Sequence, residues 1–270
     1  MRFYSALVYL FLYTPIAIIA LFSFNAGRSA IQFEGFSVRW YIRAWNNPFV
    51  MDALQTSLLV AFVSASLASI LGTLAAVGLQ GMRGPFRALF DGVIYVAVMI
   101  PGIVIGIATL IALITVFDLV NPALAAIWPE GHVSPRLSMG VGSLIAAHTM
   151  FTMALVIIIV RARLAGLERV LVEASADLYS TPFGTFRQVT LPLIAPAILT
   201  GFLLSFTFSF DDFIIAFFVA GSETTLPIYI FSSIRRGVTP EINAIGTMVM
   251  GASLLLLIIA QLVFRRGTRR

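Results

Sequence analysis

The chain reads as an all-α, polytopic bundle of six transmembrane helices, and three observations carry that expectation. Of its 270 residues, 60% are hydrophobic and only 11% charged, with a mean hydropathy of +1.00. A soluble domain carries about 25% charged residues. The deficit is concentrated in six uncharged runs, at 3–27, 53–82, 92–117, 137–160, 188–210 and 242–264. Each run exceeds the roughly 20 residues that a helix needs to cross the hydrocarbon core. Lipid admits only helices or closed barrels, and these runs lack the strict alternation of barrel strands.

The first span is placed at 4–26. A signal peptide would also begin with a basic residue such as Arg2, but its apolar core is shorter and a small-residue cleavage site would follow. A retained span is therefore expected. The segment after it, from Phe33 to Pro48, holds Phe36, Trp40, Tyr41 and Trp45. That pattern suits an aromatic belt at the membrane interface, with some rings left for a partner. The second span, 54–80, sets Ser64, Ala68, Gly72 and Ala76 on one stripe. The third, 92–117, contains Pro101, which should kink or break it, followed by Gly102 and Gly106. The fourth covers 138–160 and contains His148, expected to serve as an interhelical hydrogen-bonding group rather than a ligand. The fifth covers 193–219, with Gly201, Ser205 and Ser209 in a row, and the sixth 243–264. Small residues at four-residue spacing mark close helix approach in lipid. Ordinary intrachain packing and contact with a second subunit both fit these stripes.

Arginine distribution sets the orientation, since the chain has no lysine. With the N-terminus inside, the cytoplasmic segments hold eleven: Arg2, Arg83, Arg87, Arg161, Arg163, Arg169, Arg187, Arg265, Arg266, Arg269 and Arg270. The outer segments hold six: Arg28, Arg39, Arg43, Arg136, Arg235 and Arg236. The positive-inside rule then favours N-in and C-in. The net charge of +5 reflects this flanking of spans, with no continuous basic face for nucleic acid. Without lysine there is no Gly-Lys-Ser/Thr phosphate loop, so ATP is not bound in that way. Two histidines, no cysteine and no Gly-x-Ser-x-Gly elbow leave an enzyme reading unsupported.

Between the fourth and fifth spans lies the one soluble, amphipathic segment, 161–192. Leu167, Val170, Leu171, Ala174 and Leu178 recur at helical spacing, with Glu168, Arg169, Glu173 and Asp177 around them. Ser180-Thr181-Pro182 reads as a helix stop, a new N-cap and a proline at the first helical position. A second short helix should run to about Val189, with Leu191-Pro192 restarting the chain into the fifth span. An interfacial hairpin lying on lipid is one reading. The mixed charge suits a groove on a protein better.

This segment resembles the EAA loop of ABC import permeases: Glu-Ala-Ala, three residues, Gly, nine residues, Ile-x-Leu-Pro. Glu173, Ala174, Val189, Leu191 and Pro192 fall at matching positions. Ser175 replaces the second alanine, Asp177 lies within the motif, and Tyr179 replaces the glycine of the turn. Wider similarity, along nearly the whole chain, is to the permease subunits of spermidine/putrescine importers. It includes Pro101-Gly102-Ile-Val, the stretch Ser205 to Phe213, and Pro240-Glu241-Ile-Asn243-Ala244. Gly102 stands where polyamine members tend to carry aspartate, and the loop from Asp118 to Arg136 is long for that group. The resemblance implies a type I ABC importer permease fold in a bacterial inner membrane. It implies a second homologous permease subunit, two ATPase subunits that carry ATP and Mg, and a periplasmic solute-binding protein. Loop 161–192 would be the coupling element on the ATPase, and this chain would bind no cofactor. A polyamine is the implied cargo, with thiamine, ferric ion or an opine-like compound as alternatives. An ATP-independent secondary transporter would be expected to show inverted repeats, and none is evident.

Asp211 and Asp212 are the only charges between Arg187 and Glu223. Counted from Leu193, Asp211 lies about 27 Å along the fifth helix, toward its outer end. Adjacent helical residues point about 100° apart, so one carboxylate can face an aqueous path while the other caps or pairs locally. Both could instead sit at the interface, paired with Arg235 or Arg236. An intramembrane carboxylate is a functional candidate by default, here as part of a substrate pathway.

Overall fold

The computed structural model describes residues 2–29, 32–129, 132–167 and 169–267. In chain order the helices are α1 (Arg2–Phe22), α2 (Arg39–Trp45), α3 (Pro48–Gln80), α4 (Pro85–Met99), α5 (Gly102–Ile127) and α6 (Val141–Ala165). They continue as α7 (Arg169–Asp177), α8 (Pro182–Thr185), α9 (Leu191–Asp211), α10 (Ile214–Val219), α11 (Leu226–Arg236) and α12 (Pro240–Gly267). Among the described residues the only extended pairing is an isolated bridge between Asn25 and Phe36. Five stretches are long and apolar enough to span a membrane: Tyr4–Phe22, Pro48–Gln80, Gly102–Ile127, Val141–Ala165 and Pro182–Asp211. Glu168, Arg269 and Arg270 lie outside the described residues.

The third span differs most from the sequence expectation. The uncharged run 92–117 is not one helix, because the chain breaks at Ile100-Pro101. Pro101 has no N–H to donate, and the residue before a proline is pushed out of the helical region. Ile100 is accordingly extended, with φ −68° and ψ 136°. A new helix begins at Gly102 and carries on through Asp118 and Pro122 to Ile127. The predicted long loop is thus shortened from its N-terminal side. Asn121 then ties the outgoing strand of that loop, donating to the Leu137 carbonyl at 3.0 Å and accepting from its N–H at 2.8 Å.

The chain divides into two compact units, and the first comprises Met1–Leu54 with Leu226–Arg270. In it α12 packs against α1 and α2. Its organising residue is Asn25, fully buried where α1 ends. The Asn25 amide donates to the carbonyls of Ser29 and Gln32, and its oxygen accepts from Gly27 and Glu34, at 2.7–3.1 Å. Trp40 donates its indole N–H to the Asn25 carbonyl at 2.8 Å and is only 5% exposed. Trp40 therefore forms the centre of this outer segment rather than part of an interfacial belt, while Phe36 and Trp45 remain exposed. Arg43 pairs with Glu241 at 3.1 Å, and Asn47 donates to the same carboxylate at 3.0 Å, tying α2 and its end to α12.

The second unit, Gln55–Thr225, is built around α6. Val156 sits between two glycines: a Cβ on Gly72 of α3 would lie 2.9 Å from its Cβ, and one on Gly201 of α9 3.3 Å from its Cγ1. Ser64, Ala68, Ala76, Ser205 and Ser209 are likewise buried. The small-residue stripes are thus used for packing within the chain. Around them Leu79, Ile94, Val160, Leu164 and Ile194 close an apolar core. Gly106 plays the same part on α5, where a Cβ would meet the Phe218 ring at 2.7 Å.

Candidate functional site

The hairpin after α6 is built by capping chemistry. At the end of α7, Ser180 N–H reaches back to the Ser175 carbonyl at 3.1 Å and Tyr179 N–H to Ala176 at 2.9 Å. This paired pattern is a Schellman motif, whose penultimate position takes a left-handed backbone and is usually glycine. Tyr179 occupies it with φ 59°. The turn therefore keeps its geometry although the glycine is missing. A left-handed conformation costs an L-residue roughly 1–2 kcal/mol, and Tyr179 is the only non-glycine with positive φ among the described residues. Thr181 then caps α8, its hydroxyl accepting from Gly184 N–H at 3.1 Å, with Pro182 at the first helical position. Ser175 and Thr185 hydroxyls, 2.9 Å apart, clasp the two arms.

The second arm does not end near Val189. A wide π turn over Phe186–Thr190 leads directly into α9, and Leu191 N–H bonds the Phe186 carbonyl five residues back. Pro192, which has no N–H to contribute, is accommodated just past that wide turn. Pro182–Asp211 is consequently one continuous 30-residue stretch, so Leu191-Pro192 is not a restart. Leu191 packs partly against the α6 core, whereas Pro192 is exposed.

Glu173, Ala174, Asp177 and Tyr179 are all exposed, and Ser175 is half-buried. The apolar stripe is uncovered too: Val170, Leu171, Ala174 and Leu178 are open to the outside, with only Leu167 partly packed inward. At the base of the hairpin Arg161 hydrogen-bonds Asp91 of α4, a pairing that sequence spacing gives no means of finding. That guanidinium holds the Asp91 carboxyl below the usual carboxylate range. Arg163 donates to the Leu193 carbonyl at 3.1 Å.

Asp211 and Asp212 stand at the far end of α9, about 30 Å from Leu191 at 1.5 Å per residue. They are in different surroundings. Asp212 follows the last helical residue with φ −71° and ψ 122°, and its carboxylate accepts from the Ala216 N–H at 2.9 Å, capping α10. The same oxygen lies 3.5 Å from Nε2 of His148, which is 2% exposed. His148 Nδ1 in turn meets Ser209 Oγ at 2.6 Å. So His148 joins α6 to α9 and to the cap of α10, which matches the hydrogen-bonding role that its position suggests. The Asp211 side chain is exposed. Three aromatic rings, Phe202, Phe206 and Phe210, stack along a neighbouring face of α9.

Comparison with known proteins gives concordant results. The model of the family described as binding-protein-dependent transport system inner membrane component matches residues 68–270. The chain is 36% identical over 261 residues to the spermidine/putrescine transport system permease protein PotC of Haemophilus influenzae, covering 96% of this chain and 94% of that one. It is 38% identical over 245 residues to the putrescine transport system permease protein PotI of Escherichia coli, covering 90% and 82%. Among solved structures it resembles a chain of a bacterial ABC transporter involved in the import of the acidic polysaccharide alginate. That match has a TM-score of 0.74 at 15% identity, over 97% of this chain and 93% of that one, and speaks to the fold alone. With the family model spanning most of its length, and an uncovered hairpin between two apolar helices, the chain belongs to the binding-protein-dependent transport system inner membrane components, the permease subunits of ABC importers.

Proposed function

We propose that this permease passes a small organic cation of the polyamine type across a bacterial inner membrane. The observation that carries the reading is similarity along nearly the whole chain, at 36% and 38% identity, to permeases named for spermidine/putrescine and putrescine transport. The exposed Asp211 carboxylate at the outer end of α9 supports it, since it leaves a negative charge, unpaired among the described residues, open to an ammonium group. In this reading α12, 28 residues long, is the sixth span, α5 is the third, and both termini are cytoplasmic. A second permease chain completes the path, a periplasmic binding protein delivers the cation, and two ATPase subunits supply the energy. Their closure on ATP moves the hairpin around Glu173 and tilts the helices between inward- and outward-open states.

Uptake of radiolabelled spermidine by proteoliposomes holding the full complex tests the cargo. The Asp211→Asn, Asp212→Asn double variant should lose saturable uptake. Normal uptake at an unchanged KM would remove the carboxylates from the pathway. A second reading, the same machine with a less cationic solute, is favoured by Gly102. This residue opens α5 beside Ile214, where a Cβ would have 3.9 Å of room yet no carboxylate is present. Calorimetry of candidate solutes on the cognate binding protein separates the two readings.

A further inference from the structure

We propose that Tyr179 is an aromatic anchor that seats the hairpin in an apolar pocket on the ATPase partner, a pocket rimmed by basic groups. The inference rests on the coupling role read above for this hairpin and adds a specificity-determining residue to it. Two unfavourable features coincide at this one position. The backbone is left-handed, where glycine would sit without strain. The ring is 97% exposed, and neither it nor the hydroxyl meets a hydrogen-bond or ring partner among the described residues. Glycine would remove both penalties while preserving the turn. Nothing among the described residues offsets them, which assigns the compensation to a complex.

The surroundings define what fits. Leu178 is 82% and Phe183 72% exposed, so the tyrosine crowns an apolar tip formed by the end of α7 and the start of α8. Exposed Glu173 and Asp177 lie on the arm behind it. An anionic lipid surface would repel these carboxylates. A protein groove with an apolar floor and basic rim satisfies tip and carboxylates together. Tyrosine suits such a pocket because it brings a large rigid surface and a polar end for few rotatable bonds. These 270 residues hold no lysine and hence no Gly-Lys-Ser/Thr phosphate loop, which fits a permease that takes its energy from an ATPase partner, as proposed above.

The test uses the full permease–ATPase complex and three variants. Tyr179→Gly relaxes the turn, so the permease should be at least as resistant to thermal unfolding as the parent. Its affinity for the ATPase should still fall about tenfold or more, the loss typical of removing a buried aromatic anchor. Stimulation of ATP hydrolysis by loaded binding protein should fall with it. Tyr179→Phe should stay within about twofold of the parent, because most of the contact is ring area. Retention of parental ATPase affinity by Tyr179→Gly would overturn the proposal. So would a defect that vanishes in detergent and returns only in vesicles containing phosphatidylglycerol, which would mean that the ring anchors to lipid. Glu173→Lys is the separate control. If it too leaves assembly and coupling intact, the coupling reading fails; if it alone is defective, only the anchor fails.

Discussion

Around Val156 the chain closes on itself, with Gly72 on one side and Gly201 on the other, whereas beyond the end of α6 it leaves Leu178, Tyr179 and Phe183 uncovered. The two regions answer to different solvents. Inside lipid there is no hydrophobic gain from bringing helices together, so close approach of backbones over small residues supplies the packing. In water each apolar Å² removed from solvent is worth about 25 cal/mol. An exposed apolar tip there is a reserve of binding free energy. The seam is spent within the subunit; the tip is available to another one.

Overfilling the seam should have the largest effect. Leu at position 72 would place its Cβ 2.9 Å from Val156 Cβ and 3.2 Å from the Met153 carbonyl. Gly72→Leu should destabilise the subunit by about 3 kcal/mol, read as a lower unfolding midpoint in detergent, with partial rescue by Val156→Ala. Charge reversal at the hairpin should do the opposite. Glu173→Lys should lower ATP-driven uptake about tenfold, from lost complementarity at the partner, and leave the midpoint unchanged.

The aspartates sharpen the contrast within one helix end. Asp212→Ala removes the α10 cap and the neighbour of His148, at a cost of about 1 kcal/mol. That should lower Tm by about 2–4 °C. Asp211→Asn should leave Tm in place while raising the KM for spermidine about tenfold. Equal thermal losses in both would erase the distinction between them. The smallest effect is expected at Thr181. Thr181→Ala forfeits one cap hydrogen bond, about 1 kcal/mol, and should raise amide exchange at Gly184 about fivefold without touching the seam.

Much of this was readable from residue spacing, and the gaps have specific causes. The helical class follows from the uncharged runs, whereas the separation of Asp211 from Asp212 comes from the end of α9 at Asp211 rather than from the roughly 100° helical offset expected for it. Which carboxylate caps was not legible, because α10 begins only where α9 has stopped at Asp212. The break within the run 92–117 was legible from Pro101, but the extension of the following helix through Asp118 and Pro122 to Ile127 was not, because the uncharged run ends at 117. Pro192 looked like a boundary, yet a π turn one step earlier absorbs it. Trp40 passed for an interfacial ring because its bond to the Asn25 carbonyl spans 15 residues of irregular chain. Tyr179 was visible as a departure from the glycine pattern. Its backbone angle was not, since a tyrosine there could equally have remodelled the turn.

The unbroken run from Pro182 to Asp211 has a mechanical consequence. With no loop between the tip and the carboxylate end, a swing imposed at one end arrives at the other as displacement rather than slack. A tilt of about 10° over a rod of about 44 Å sweeps its end through about 8 Å. That stroke exceeds the width of an alkylammonium chain. If the hairpin is the handle and Asp211 part of the gate, as proposed, the two form a single piece.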